Sequence, residues 1–195
     1  MVYNMKLVDG MLLYHGSYTP VEAVDLAKCA AGKDFGRGFY VTADNVQAEN
    51  FIKTSLLKAK RLKQIPESQN FGYVTCYKYN APKENIPIFE FKEANQEWLW
   101  FISLNRRNRI AKSLASLLSK DMFNGEIIIG KIANDTTNPV ITAYLNELYG
   151  EITDEEAAKM AISLLLPHRL NDQYCFLSQR AVSCLEVVEV KKYEY

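Results

Sequence analysis

Lys33-Asp34-Phe35-Gly36-Arg37-Gly38-Phe39-Tyr40-Val41-Thr42 sets two glycines around an arginine and runs directly into a short apolar stretch. Glycines placed ahead of a strand let the chain turn where a side chain would clash, or let backbone approach a ligand closely. The stretch from Phe39 to Thr42 reads as a buried strand, so Tyr40 is presented from a rigid element rather than from a loose loop. Leu13-Tyr14-His15-Gly16-Ser17 has the same character: an apolar strand, one polar ring, then a glycine. The two stretches are expected to form the walls of one pocket.

Outward from them, Met11 to His15 reads as a strand and Thr19-Pro20-Val21-Glu22 as a helix start, with Thr19 as cap and Pro20 at the first helical position. That helix is expected to run to about Ala31 and stop at Gly32. Asp44 followed by Gln47 opens a second helix. Ala48, Phe51, Ile52, Ser55, Ala59 and Leu62 keep helical spacing along it, with Phe51 on the inward face. Its basic end, Lys58, Lys60, Arg61 and Lys63, suits the negative end of the helix dipole. Phe71 to Tyr79 alternates as a strand with one aromatic face, and Ile86 to Phe91 reads as another. Asn95 to Asn105 reads as a helix, followed by Arg106, Arg107 and Arg109 at a solvated turn. Glu126 to Ala133 reads as a central strand. Helices are expected from Pro139 to Tyr149 and from Thr153 to Leu166, the latter with a Thr153–Glu156 capping box. Tyr174 to Ser178 is a strand, Gln179 to Leu185 a short helix, and Val187 to Tyr193 a last strand. His168, beside Pro167, falls in a loop. Asn134-Asp135 could line a pocket rim.

Strands and helices mix without a regular βαβ rhythm. This predicts an α+β fold with a largely antiparallel or mixed sheet. The 195 residues fit a single domain, and 48% hydrophobic content supplies a sizeable core. The 23 basic and 23 acidic residues cancel, which argues against strong non-specific nucleic-acid binding. Cys29, Cys76, Cys175 and Cys184 form no CxxC pair, so they read as buried free thiols of a reducing compartment and not as a zinc site. No signal-peptide core is evident near the N-terminus and no apolar run is long enough to span a bilayer. The expectation is a soluble cytoplasmic protein, or an effector delivered by a specialised route.

Two motif matches fail on context. Asp34-Phe35-Gly36 matches the kinase metal-binding tripeptide, but no HRD stretch or lysine strand precedes it. Gly36-Arg37-Gly38 begins like a dinucleotide loop, but Val41 stands at the third glycine position. A third match fits better. The pair Leu13-Tyr14-His15-Gly16-Ser17 and Gly36-Arg37-Gly38-Phe39-Tyr40 resembles the first two motifs of the ADP-ribosyltransferase superfamily. The branch it is most similar to is the diphtheria-toxin and poly(ADP-ribose) polymerase type, whose signature is His, Tyr, Glu. That branch has a second stacking aromatic eleven residues after the motif tyrosine, which here is Phe51. As a whole the chain resembles a bacterial family of uncharacterised proteins within the superfamily.

The resemblance implies an ADP-ribosyltransferase-like split sheet and NAD as substrate. The nicotinamide ring would lie between Tyr40 and Phe51, and its carboxamide would pair with the Gly16 backbone. His15 would orient a ribose hydroxyl, and Ser17 and Gly38 would complete the binding set. Cleavage passes through an oxocarbenium-like state that an anion stabilises. The family's glutamate, however, aligns with Gln173 in Asn171-Asp172-Gln173-Tyr174-Cys175-Phe176-Leu177-Ser178. Gln173 can hydrogen-bond a ribose hydroxyl but carries no charge, and Asp172 would point to the other side of a strand. The catalytic set is then His15, Tyr40 and Gln173. The leading expectation is mono-ADP-ribosylation of a protein or nucleic-acid acceptor with release of nicotinamide, in a bacterial toxin, effector or toxin–antitoxin component. An antitoxin or immunity protein would be its partner. The alternatives are a non-catalytic module that binds NAD or ADP-ribose, and an NAD glycohydrolase in which water replaces the acceptor.

Overall fold

A computed structural model describes residues 6–106, 114–133, 137–167 and 170–195. Arg107, Arg109, Asn134, Asp135 and His168 lie outside the described residues. Two sheets form the frame. The first is antiparallel, with β1 (Leu12–Ser17), β3 (Phe71–Tyr79) and β7 (Leu185–Glu194) in the order β1-β3-β7. The second has the order β2-β6-β5-β4, from β2 (Phe39–Val41), β6 (Asp172–Phe176), β5 (Ile127–Lys131) and β4 (Ile88–Glu90). Only β4 and β5 run parallel in it. The class is mixed α+β, as expected, with one antiparallel and one mixed sheet.

Alternation explains how the second sheet is buried on both faces. Ile128 and Cys175 enter a core formed with α2 (Gln96–Arg106), α3 (Asn138–Leu145) and α4 (Glu155–Leu165), around Trp98, Phe101, Tyr144 and Ala158. Their neighbours Ile127, Ile129, Tyr174 and Phe176 turn the other way, into a core shared with Leu13, Phe39, Val41 and Tyr77. Strands buried on both faces need apolar residues at every position, which is what Ile127-Ile128-Ile129 provides. A third cluster packs Ala48, Ile52 and Leu56 of α1 (Asn45–Arg61) onto Val74.

The expected helix from Thr19 to Ala31 is absent. Only one turn of 3₁₀ helix forms there, at Leu26–Lys28, capped by Asp25, whose side chain accepts from the Ala27 amide at 2.9 Å. Tertiary bonds have displaced the helix. The Val21 amide donates to Thr75 Oγ1 at 3.3 Å, and the Tyr77 hydroxyl donates to the Val21 carbonyl. Val21, Val24, Leu26 and Cys29 then pack one by one against the core between the sheets. At α4 the cap is Asp154, accepting from Glu156 N at 3.0 Å, and not Thr153. α3 ends at Leu145, short of Tyr149, and the helix after β6, α5 (Gln179–Val182), is a single turn. All four cysteines are free; Cys76, Cys175 and Cys184 are buried and Cys29 is half-buried. Among the described residues no helix is long and apolar enough to cross a membrane.

Candidate functional site at the seam of the two sheets

The two sheets touch through one bridge. Tyr14 N donates to the Thr42 carbonyl at 2.7 Å, and Thr42 N donates to the Tyr14 carbonyl at 3.0 Å. Continuing that antiparallel pairing would set Gly16 opposite Tyr40, but among the described residues the pairing of β1 with β2 stops at this one bridge. A side chain replaces it: His15 Nδ1 lies 2.8 Å from the Tyr40 carbonyl oxygen. A carbonyl only accepts, so Nδ1 carries the proton and Nε2 of the neutral ring is left as an acceptor. Burial holds the His15 pKa below its usual value and keeps the ring neutral, with the bond to Tyr40 opposing this to a lesser extent. The ring rests on Phe39, centroids 4.7 Å apart.

Backbone groups alternate sides along a strand. Tyr14 directs its N–H and C=O towards β2, so Gly16, two residues on, directs its own pair to the same edge of β1, beyond the bridge. Gly16 has a steric reason to be glycine. A Cβ there would overlap the Ala48 carbonyl oxygen of α1. Ser17 is buried beside it, its Oγ 3.5 Å from the Thr19 amide. Gly38 is likewise demanded by packing: a Cβ would come within 2.9 Å of the Phe176 carbonyl and closer still to the Cys175 and Leu177 side chains.

Tyr40 meets His15 through its carbonyl, not its phenol. The phenol turns into residues 33–38, accepting from Phe35 N at 2.9 Å and donating to the Gly36 carbonyl at 2.8 Å. Its ring stacks on Phe35 with centroids 6.4 Å apart. Burial pushes its pKa far above the usual tyrosine range, so it remains a neutral hydroxyl. Tyr40→Phe removes both bonds and leaves the Phe35 amide without its acceptor. We expect a loss of about 1–3 kcal/mol, read as a lowered urea midpoint at unchanged slope; an unchanged midpoint would mean that water replaces the hydroxyl.

Phe51 is 45% exposed and does not face inward as the spacing implied. The buried stripe of α1 is Ala48, Ile52, Leu56 and Ala59, and Phe51 stands one residue off it. Its own row is Gln47, Phe51, Ser55, spaced one turn apart. Gln47 Oε1 is 3.0 Å from Thr42 Oγ1, and Ser55 Oγ accepts from Tyr18 N at 3.2 Å. Phe51 therefore lies on the row that looks towards the seam, between contacts to either side of it.

Gln173 is buried beneath residues 33–38. Its Nε2 donates to Asp34 Oδ2 at 3.0 Å and lies 3.4 Å from the Lys131 carbonyl. The same Asp34 oxygen accepts from Ala133 N at 3.0 Å. Asp34 Oδ1 accepts from Arg106 Nε at 2.9 Å and from its Nη2 at 2.7 Å. Arg106 also donates to the Ala133 carbonyl and to Asn138 Oδ1. This centre was missed in the sequence. Its signal was an acid two residues ahead of Gly36-Arg37-Gly38 and an arginine ending an apolar helix. Asp172 points away from Gln173, as expected, and pairs with Lys131 at 2.7 Å. A surface cavity of about 270 Å³ flanks the loop, lined by Ala31, Gly32, Gly36, Arg37, Asn105 and Arg106.

Over residues 11–187 the chain matches a family described as "Protein of unknown function (DUF3990)". It belongs to this family. No curated protein and no solved structure matches it. The match spans both walls of the seam, β1 and β2, and the β6 segment with Gln173, so every candidate site residue of this DUF3990 protein lies inside the family region.

Proposed function

We propose that this protein has an ADP-ribosyltransferase-like fold, binds NAD at the seam, and transfers ADP-ribose to a protein or nucleic-acid acceptor with release of nicotinamide. The observation that carries the reading is the Gly16 main-chain pair, which the strand alternation directs to the edge of β1 where pairing with β2 has ended, beside His15. An N–H and a C=O side by side match a carboxamide, which accepts from one and donates to the other. His15 Nε2 accepts from a ribose hydroxyl, and exposed Phe51 supplies a face for the cationic nicotinamide ring. In the reaction the bond from nicotinamide nitrogen to ribose C1′ breaks and its electron pair leaves with nicotinamide. The acceptor supplies the pair for the new C1′ bond and releases its proton.

A second reading is binding without turnover. It is favoured by Gln173, which has no charge, and by Asp34, whose charge is met by Arg106 at 2.7 Å. Thermal shift with NAD and assay of nicotinamide release separate the two. NAD at about a hundred times its dissociation constant should stabilise the wild type by about 2.7 kcal/mol, and His15→Ala should lose most of that shift. Release accompanying the shift supports transfer, and a shift without release supports the second reading. No shift overturns both. Acid should weaken binding with a definite sign. His15 binds ligand as the neutral ring, so affinity holds at neutral pH and declines only below its ordinary value near 6.5, once the lowered folded-state pKa is reached.

A further inference from the structure

Residues 34 and 173 share one buried site, and its chemistry allows only one of them to be ionised. Gln173 faces two acceptors, the Asp34 carboxylate at 3.0 Å and the Lys131 carbonyl at 3.4 Å. Both side chains are buried, Asp34 at 6% and Gln173 at 5% exposure. Two acceptors fix the amide: its NH₂ must face them, and its oxygen, Oε1, must face away. We infer that Asp34 is a positioning residue that locks Gln173 with Oε1 turned away from these two acceptors and excludes an ionised glutamate from position 173. For the function this rests on the NAD reading above. It means that residue 173 enters the reaction as a neutral amide and that the negative charge beside it is carried by Asp34, where Arg106 Nε and Nη2 hold it.

The physical consequence is specific. Gln173→Glu alone would place a second carboxyl where an N–H donor now sits. As the neutral acid it donates its O–H to Asp34 Oδ2 and replaces the lost bond. Once ionised it presents an acceptor to two acceptors, beside a like charge, in a site closed to water. Its pKa in the fold is therefore raised above the ordinary glutamate value of about 4.3. A carboxyl with a raised folded pKa holds its proton in the native state after the unfolded chain has lost it. Stability then falls as pH rises from about 4.3 through the folded pKa. Asp34→Asn combined with Gln173→Glu restores one carboxylate and one amide in exchanged places. The amide introduced at position 34 donates to the carboxylate introduced at position 173, and its oxygen still accepts from Arg106. The Ala133 amide loses its acceptor, a penalty that does not change with pH.

The test is the thermal midpoint of the wild type, Gln173→Glu and the double variant between about pH 5 and about pH 8. Gln173→Glu should lose stability progressively as pH rises relative to the wild type. The double variant should lose most of that pH dependence and run below the wild type, because its carboxylate at position 173 gains a donor at position 34 and is opposed only by the Lys131 carbonyl. A merely structural role for Asp34 predicts a constant offset for the single variant, and that result, or a double variant with the single variant's slope, overturns the inference. Nicotinamide release from NAD is measured on the same samples. Release that rises in the double variant above the wild type, and not in Gln173→Glu, supports the functional half. The pH slopes without NAD binding in any variant would overturn the NAD reading and leave the Asp34–Gln173 lock standing.

Discussion

Alanine at position 34 is expected to remove about 3–5 kcal/mol of stability, much of the roughly 5–15 kcal/mol that holds a domain folded. Asp34 accepts from Arg106 twice, from the Ala133 amide and from Gln173. Without it the Arg106 guanidinium, 17% exposed at its side chain, stays buried with its charge uncompensated, and two further donors lose their acceptor. Asp34 also ties residues 33–38, through Arg106, to the end of α2, and through Gln173 and Ala133 to β6 and the end of β5. Its loss should therefore free the loop that the Tyr40 hydroxyl grips. Urea denaturation of Asp34→Ala measures the first effect. Asp34→Ala with Arg106→Met measures its cause, because removing both charges should recover part of the loss. A loss below about 1 kcal/mol would place the pair among solvated surface bridges and end the argument for a buried centre.

Gly16→Ala carries the second large effect. The added methyl overlaps a main-chain oxygen, that of Ala48, so no rotamer change relieves it. Either β1 or the first turns of α1 must move. Overpacking of this kind costs about 1–3 kcal/mol, occasionally more, and we expect the upper end here. The displacement should also abolish NAD-dependent stabilisation, since the Gly16 main chain is the proposed carboxamide contact. Ala48→Gly added to Gly16→Ala should restore nothing, because the clash is with backbone and not with the Ala48 side chain. Recovery in that double variant, or wild-type stability in Gly16→Ala, would show that the helix does not press on β1.

Strand content was readable because its cause is local. Phe71 to Tyr79 was delimited correctly by alternation alone, and the Asp44 start of α1 by its cap, whose Oδ1 accepts from Val46 and Gln47. The Thr19 segment failed for the opposite reason. Its capping signals are real, but Thr75 and Tyr77, far along the chain, claim the Val21 backbone groups. Phe51 failed by one residue of phase, since a helix row at the margin of a buried stripe is assigned by what lies opposite, which spacing does not contain. At the site, His15, Gly16 and Tyr40 were visible as motif positions, and the structure joins His15 to Tyr40. Asp34 was not legible as a site residue, because its partners Arg106, Ala133 and Gln173 are brought together only by the fold.

The strand order of the second sheet bears on how the protein is made. β6 lies between β2 and β5, yet it is synthesised after both. At roughly 5–20 residues per second, the ribosome releases Ile127-Ile128-Ile129 well before the strand that covers them. During that interval β5 is an apolar strand with one edge unsatisfied, the kind of segment that pairs with other chains. The first sheet waits as well, since β7 completes it beyond β3. β2 gains its ladder only with β6, so the seam between β1 and β2 takes its shape only after β6 has been made. A nascent chain of this protein thus passes through an aggregation-prone stage in which it has no formed site, and any activity of the site is withheld until β6 has been made.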